Sequence, residues 1–228
     1  MSVIAAPSTL APVADRDAWL VPRRQAWFAF VMAFLLMTLD FVDRQIVVSM
    51  FPVLKAEWQL TDKQLGALVS AVSVTIALFS FPVAVLSDRW SRVKSIAVMA
   101  GVWSVATIAC GVTRNYAQLL AARAAIGLGE AGYGAAGGAL LTSMFPASRR
   151  ATVVAGFLAA ASIGSVLGVV LGGVITARWG WQTAFGVVGV PGLVLAVAFL
   201  WVRDYRTVPL LSLIHISEPT GPERISYA

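Results

Sequence analysis

ATVVAGFLAAASIGSVLGVVLGGVITA, residues 151–177, is a stretch of 27 residues without a single charged side chain. It also lacks the polar stripe, recurring every three or four residues, that a helix on the surface of a soluble protein shows. A helix needs about 20 apolar residues to cross the roughly 30 Å hydrocarbon core of a bilayer. The stretch therefore predicts a transmembrane helix and argues against a soluble helical bundle.

Apolar runs of similar length recur along the chain, which is 59% hydrophobic and 12% charged. The others cover residues 26–42, 65–87, 96–113, 131–148 and 180–202. Two shorter runs reach membrane length if the first helix continues through Asp43 and Arg44 and the fourth begins near Asn115. Strands of a transmembrane β-barrel would instead alternate in polarity over about ten residues. We therefore predict an all-α polytopic membrane protein with six transmembrane helices.

The positions of the basic side chains predict the orientation of these helices. Ten of them precede the first helix or lie in loops on the same side: Arg16, Arg23, Arg24, Arg89, Arg92, Lys94, Arg149, Arg150, Arg203 and Arg206. The opposite side has Lys55, Lys63, Arg114 and Arg178. Because cytoplasmic loops carry an excess of Lys and Arg, both ends of the bundle are expected in the cytoplasm, with the bundle in a cell inner or plasma membrane. The excess of basic residues in cytoplasmic loops then explains the net charge of +6, and no nucleic-acid partner is expected.

The two ends of the chain differ from the apolar region at 25–206. Residues 1–24, rich in Ala and Pro, predict a disordered cytoplasmic tail. Residues 207–228 are predicted to be non-native, because LSLIHISEPT at 211–220 resembles the translation of a transposase-type sequencing adapter over ten consecutive residues. His215, the one histidine, is therefore excluded as a proton relay, and the natural chain is expected to continue past the sixth helix.

Ionisable residues inside the predicted helices form the candidate site. LDFVDRQ, residues 39–45, and RAAIGLGEAG, residues 123–132, contribute Asp40, Asp43, Arg44, Arg123 and Glu130. A charge at mid-membrane costs a few kcal/mol, so such groups normally face a cavity and pair with one another. We predict that these five residues bind substrate or couple its movement to protons. A structural ion pair that merely fixes helix contact is the alternative.

Their depths predict how these residues meet. At about 1.5 Å of rise per residue, Asp43 and Arg123 come to similar levels of the first and fourth helices. We therefore expect Asp43 and Arg44 to face Arg123 across a cavity, with Glu130 about two turns closer to the cytoplasm.

Small residues crowd the fourth and fifth helices. Gly127 and Gly129 lie in the fourth, and Gly164, Gly168 and Gly172 form G-x-x-x-G-x-x-x-G in the fifth. Because small residues at this spacing let helix backbones approach closely in lipid, these five glycines are predicted helix-packing residues.

Three stretches together resemble the major facilitator superfamily of secondary transporters. AVLSDRWSRVK, residues 84–94, is similar to the family's helix-two to helix-three loop signature, with Ala84 in place of the leading glycine. RAAIGLG at 123–129 fits its helix-four R-x-x-x-G-x-G element. GSVLGVVLGG at 164–173 resembles its helix-five element, with Val169 in place of proline. Within the superfamily, DRQ at 43–45 and the helix-four motif look most like Spinster-like transporters and organic anion:cation symporters.

This resemblance implies the N-terminal half of a twelve-helix fold, built from two inverted three-helix repeats with the substrate cavity between halves. By analogy, Asp88, Arg89, Arg92 and Lys94 form a cytoplasmic latch between the halves. The implied function is secondary active transport of a small organic, anionic or amphiphilic solute by alternating access, coupled to protons. The implied partners are the solute, protons, the lipid bilayer and the missing C-terminal half. No cofactor or metal is implied, and the fragment alone is expected to be inactive.

The sequence also bears on two other classes of function. An enzyme is not expected, because the chain shows no Cys/His ligand set, no G-x-S-x-G motif and no phosphate-binding loop. A non-transporting membrane receptor or scaffold derived from a transporter stays open as the alternative, and measured solute flux would separate it from transport.

Overall fold

The structure is a computed structural model that describes Trp19 and residues 21–202, without the side chain of Asp88. This part of the chain forms eight α-helices and no strand. They are α1 (Arg23–Ser49), α2 (Phe51–Trp58), α3 (Asp62–Arg89), α4 (Arg92–Cys110), α5 (Tyr116–Glu130), α6 (Tyr133–Met144), α7 (Ala147–Trp179) and α8 (Trp181–Phe199). Most of the predicted N-terminal tail, the whole predicted non-native tail at 207–228 and His215 lie outside the described residues.

Side-chain caps fix where three of these helices begin. Thr61 opens α3 with a capping box, in which the Gln64 N–H donates to Thr61 Oγ1 and the Thr61 N–H donates to Gln64 Oε1. Ser91 accepts from the Lys94 N–H at 3.1 Å to open α4. Asn115 does the same for α5 through the Gln118 N–H at 2.9 Å. These caps satisfy backbone donors that the first helical turn leaves unpaired.

Five of the described helices are long and apolar enough to cross a membrane, namely α1, α3, α4, α7 and α8. The fourth predicted helix is instead divided into α5, with 15 residues, and α6, with 12 residues, by a turn at Ala131 and Gly132. Glycine is about 1 kcal/mol less favourable than alanine inside a helix, and glycines are frequent around this turn. Gly132 takes φ −121° and ψ −6°, outside the helical range. The expectation of one continuous fourth helix was therefore wrong.

Helix packing follows the small residues. The most extensive contact joins α1 to α7, while α4 packs on α8 and α5 lies between α3 and α4. At the α1–α7 contact, a Cβ added to Gly168 would lie 2.7 Å from the Val42 carbonyl oxygen. Glycine there allows the two backbones to approach more closely than any other residue would.

An aromatic cluster joins α4, α6 and α7 next to α1. Trp103 and Tyr133 stack edge to face at 5.4 Å between ring centroids, and Phe157 packs on Tyr133 at 6.2 Å. All three side chains are buried. The Tyr133 hydroxyl donates to the Ala33 carbonyl oxygen of α1 at 2.5 Å. The cluster therefore fixes α6 against α1 directly after the turn at Ala131 and Gly132.

Of the five long apolar helices, α3 and α7 are the least covered by the rest of the described chain. In α3, only 11% of an 18-residue apolar segment is buried within the structure. The corresponding share is 28% in α7 and 61% in α4. Leu78 and Phe81 on α3 and Val166 and Val170 on α7 are among the exposed side chains. Such long apolar faces indicate contact with lipid or with further protein.

Candidate functional site

Helix α1 carries three ionisable side chains within five residues. Asp40 and Asp43 are buried, and Arg44 is half-buried. Arg44 Nε donates to Asp40 Oδ1 at 2.8 Å, one helical turn back along α1. The Arg44 guanidinium also lies over the Phe41 ring, 5.2 Å from its centroid. These contacts hold the long Arg44 side chain against its own helix.

The second partner of Arg44 comes from α5. Arg44 Nη2 lies 2.7 Å from Oε2 of Glu130, the last residue of α5. One guanidinium therefore contacts two carboxyl groups through two of its nitrogens. We refer to Asp40, Arg44 and Glu130 as the Arg44 triad.

A separate set of contacts surrounds Asp43. Arg123 Nη1 on α5 donates to Asp43 Oδ2 at 2.9 Å, and Thr107 Oγ1 on α4 donates to Asp43 Oδ1 at 3.0 Å. Arg123 Nε also donates to the Leu68 carbonyl oxygen of α3 at 3.3 Å. Asp43 and Arg123 are 0% and 1% exposed. We refer to Asp43, Thr107 and Arg123 as the Asp43 network, which joins α1, α4 and α5 and reaches the backbone of α3.

The structure corrects the expected pairing in two respects. Asp43 pairs with Arg123, as expected, but the two side chains are enclosed and in direct contact at 2.9 Å, where a cavity between them was expected. Arg44 contacts Glu130 and not Arg123. Side chains on a helix lean towards its N-terminus, so the long Arg44 side chain reaches back one turn, to the level of Asp40 and Glu130.

The two clusters differ in access and in charge balance. The Asp43 network pairs one carboxyl with one guanidinium and is closed to solvent. The Arg44 triad has two carboxyls for one guanidinium, and the Arg44 side chain is 29% exposed. With all groups ionised, the triad carries one surplus negative charge. A proton bound by one of its carboxyls would neutralise that charge, and an incoming anion could reach Arg44 from its exposed side.

Sequence reasoning missed two side chains that support these clusters. Thr107 donates to Asp43, and Tyr133 ties α6 to α1 three residues after Glu130. A hydroxyl in the apolar run at 96–113 was the available signal for Thr107, because a buried polar group requires a partner. For Tyr133 the sequence held no signal of the partner, which is a backbone carbonyl of a distant helix.

All five predicted packing glycines lie at helix contacts. A Cβ on Gly127 would lie 2.5 Å from the Val72 carbonyl oxygen of α3, and one on Gly129 would lie 2.5 Å from the backbone nitrogen of Trp103 on α4. The three on α7 meet α1: Gly164 at Thr38 and Phe41, Gly168 at Val42 and Gln45, and Gly172 at Ile46 and Ser49. These contacts place α5 and α7 close to the helices that carry the ionisable groups.

The predicted latch residues surround the turn between α3 and α4. Arg89 and Lys94 are exposed, and Arg92 is half-buried at the start of α4. The side chain of Asp88 lies outside the described residues. The latch role stays a prediction, because it requires a second half of the bundle.

The chain is similar to known proteins in sequence and in fold. A sequence model of the Major Facilitator Superfamily matches residues 18–220. Multidrug resistance protein Stp of Mycobacterium tuberculosis is 31% identical over 166 residues, which cover 72% of this chain and 31% of that protein. The hexuronate transporter of Bacillus subtilis is 26% identical over 176 residues, covering 77% of this chain and 41% of that protein.

A solved structure shares the fold. It is that of a bacterial homologue of the human lysosomal transporter Spinster, in an inward-facing and unoccupied conformation. It matches with a TM-score of 0.74 at 22% sequence identity, over 84% of this chain and 47% of that chain. This likeness establishes the fold alone. The chain spans less than half the length of each of these three proteins.

Proposed function

Because the chain belongs to the Major Facilitator Superfamily, we propose that it is the N-terminal half of a secondary active transporter that moves a small organic anionic or amphiphilic solute by alternating access. The family consists of membrane transporters and not of enzymes. With its apolar helices, the chain is an integral multi-pass membrane protein. The observation that carries the proposal of coupled transport is the Arg44 triad. This cluster within the apolar helices has two carboxyl groups for one guanidinium.

The proposed topology has six spans with both ends of the bundle in the cytoplasm. In it, α5 and α6 together make the fourth span, and the spans form two inverted three-helix repeats. The exposed apolar faces of α3 and α7 are assigned to contact with the second half and with lipid. Arg89, Arg92 and Lys94 at the cytoplasmic end are consistent with this orientation and with the proposed latch.

The proposed substrate group is anionic and binds at Arg44. Arg44 is the more accessible of the two membrane-embedded arginines, with 29% of its side chain exposed against 1% for Arg123. A guanidinium binds a carboxylate or phosphate through paired hydrogen bonds. The anionic substrate of the hexuronate transporter is in keeping with this class of solute.

The proposed coupling ion is the proton, with Glu130 as its site. When Glu130 is ionised, it holds Arg44 and thereby joins α1 to the end of α5. When Glu130 is protonated, that ion pair is lost and Arg44 is available to the substrate anion. Because Glu130 precedes the turn at Ala131 and Gly132, loss of the pair also frees the junction between α5 and α6. Proton binding and substrate binding would thus favour the same state of the triad.

Solute-dependent proton flux tests this proposal. The complete protein would be reconstituted into liposomes that enclose a pH-sensitive dye, and a panel of hexuronates and aromatic carboxylates would be added outside. A solute that moves protons with itself supports transport, and the 228-residue chain in the same liposomes is the expected inactive control. Binding of a solute by the complete protein without any flux across the panel would instead favour the receptor alternative.

A further inference from the structure

We infer that the groove between α1 and α7, beside the Arg44 triad, receives the apolar body of the solute, and that the Gln45 amide selects a hydroxyl or carbonyl group on that body. The groove is a cavity of ≈ 390 Å³ lined by Gln45, Ser165, Val166, Val169 and Val170. The inference rests on the proposed transport function and narrows its solute to an amphiphilic organic anion, in place of a polyhydroxylated sugar acid.

The Gln45 amide is the observation that points to a ligand. Gln45 is half-buried, lines the groove and has no hydrogen-bond partner among the described residues. Gln182 is exposed in the first turn of α8, where water can reach it. All other Gln and Asn side chains in the described part of the chain are hydrogen-bonded: Gln25, Gln59, Gln64, Asn115 and Gln118. The Gln45 amide is therefore an exception that requires an occupant with hydrogen-bonding groups.

The depth of the groove excludes lipid as that occupant. Ser165 lies near the middle of the 33-residue α7, and Gln45 directly follows Arg44 within α1. Lipid tails offer no hydrogen bond at this depth, so an amide that faced them would remain unsatisfied at a cost in free energy. A solute in the groove would satisfy the amide.

The groove continues from the Arg44 triad along α1. Phe41 and Gln45 lie one helical turn apart and so share a face of α1. The Arg44 guanidinium lies 5.2 Å from the centroid of the Phe41 ring. A Cβ added to Gly164 would lie 2.9 Å from Phe41 Cβ, and one added to Gly168 would lie 2.8 Å from Gln45 Cβ, so α7 runs close beside this face. A solute whose anionic group binds Arg44 would therefore extend past Phe41 into the groove.

The walls of the groove select the rest of the solute. Three of the five lining residues are valines with exposed side chains, which favour an apolar body. Ser165 Oγ already donates to the Ala161 carbonyl oxygen at 2.8 Å, so the free donor is the Gln45 amide. A primary amide both donates and accepts, and it therefore suits one hydroxyl or carbonyl group. The many hydroxyls of a sugar acid would lie against valines without partners, which disfavours that class.

Uptake of matched aromatic carboxylates by the complete protein in liposomes tests the role of Gln45. The probes are cinnamate, its ortho-, meta- and para-hydroxy derivatives, and galacturonate, with uptake by protein-free liposomes subtracted. At least one hydroxycinnamate should have a KM about three- to tenfold below that of cinnamate, the range that one neutral hydrogen bond provides. Gln45→Leu should abolish this difference and leave the KM of cinnamate within about twofold. Gln182→Leu, which removes the exposed amide on α8, should keep the difference.

Two valines of nearly equal exposure test whether the groove is occupied. Val169 is 49% exposed and lines the groove, whereas Val187 is 47% exposed and lies on α8. Val169→Trp fills the groove and should raise the KM of cinnamate and its derivatives by about tenfold or more. Val187→Trp should leave these values within about twofold. Equal effects of the two variants would contradict the inference.

The remaining outcomes separate this inference from the proposed function. Uptake of galacturonate in preference to cinnamate and all its derivatives would overturn the inference and leave transport standing. A Gln45→Leu variant that keeps the hydroxyl preference, or that raises the KM of cinnamate and hydroxycinnamates equally, would show that Gln45 supports helix contacts and does not read the solute. Absence of flux for these probes and for the wider panel would reject the proposed function, and the inference with it.

Discussion

Arg44 on α1 and Glu130 at the end of α5 are joined by an ion pair, with 2.7 Å between Nη2 and Oε2. The pair lies next to the turn at Ala131 and Gly132 that divides α5 from α6. Asp40 shares the same guanidinium through Nε. The contact therefore links the segment of α1 that carries Asp40, Asp43 and Arg44 to the turn within the fourth proposed span. This position makes the pair suited to a conformational role.

The Asp43 network is expected to stabilise the fold, in contrast to the Arg44 triad. Asp43→Asn would leave Arg123 buried and unpaired, which costs about 3 to 5 kcal/mol when one partner of a buried pair is removed. Unfolding of the detergent-solubilised chain by a denaturant titration would measure this loss. Asp62→Asn is the matched control, because Asp62 pairs with Lys55 at an exposed site. Exposed pairs contribute about 1 kcal/mol or less. Equal losses from the two variants would contradict a special role for Asp43.

Thr107 is expected to support Asp43 through its hydroxyl. Thr107→Val keeps the side-chain volume nearly constant and removes the hydrogen bond to Asp43 Oδ1. We expect a loss of about 1.5 to 3 kcal/mol in unfolding free energy, since the acceptor is charged. Thr183→Val, at an exposed hydroxyl that donates to the Trp179 carbonyl, should change stability by less than about 0.5 kcal/mol. In the Asp43→Asn background, the effect of Thr107→Val should shrink, because the charged acceptor is gone. Full additivity would argue that the two residues act separately.

Two glycines of α7, one that contacts α1 and one that does not, allow a test of the α1–α7 contact. Gly168→Ala places a Cβ 2.7 Å from the Val42 carbonyl oxygen and should destabilise the chain by about 1 to 3 kcal/mol. Gly173→Ala has no atom within 4 Å of the added Cβ. It should be neutral or stabilising by up to about 1 kcal/mol, because alanine favours the helix. The same denaturant titration measures both. A Gly168→Ala variant as stable as Gly173→Ala would mean that the two helices separate without cost.

The fold was largely predictable because lipid imposes strong rules on sequence. Uncharged runs of membrane length locate α3, α4, α7 and α8, and a shorter apolar run locates α1. The resemblance to the major facilitator superfamily is confirmed by the family match over residues 18–220. The division between α5 and α6 was not predictable from hydropathy, since Ala131 and Gly132 lie within the apolar run at 131–148. Glycine weakens a helix without fixing where it breaks, so Gly132 could not be distinguished from Gly134 or Gly138.

The proximity of the candidate site residues was predictable, and their individual pairings were less so, while their role in transport stays a prediction. Charge at membrane depth singled out Asp43 and Arg123, and the structure brings them together. The partner of Arg44 was missed, because the depth of a Cα atom along its helix does not show the direction in which a long side chain extends. To predict that Thr107 contacts Asp43, one would need to know which face of α4 packs against α1. No rule of spacing within one helix supplies that information.

Uptake driven by a proton gradient, compared with exchange at equal pH, is the most direct test of the proposed coupling. Both would be measured for the complete transporter in liposomes, once a transported solute is identified, with the original sequence, Glu130→Gln and Asp62→Asn as an exposed carboxyl control. Glu130→Gln should lose at least tenfold in gradient-driven uptake and keep solute exchange within a few-fold, while Asp62→Asn should leave both unchanged. Unchanged gradient-driven uptake by Glu130→Gln would contradict the assignment of Glu130 as the proton site.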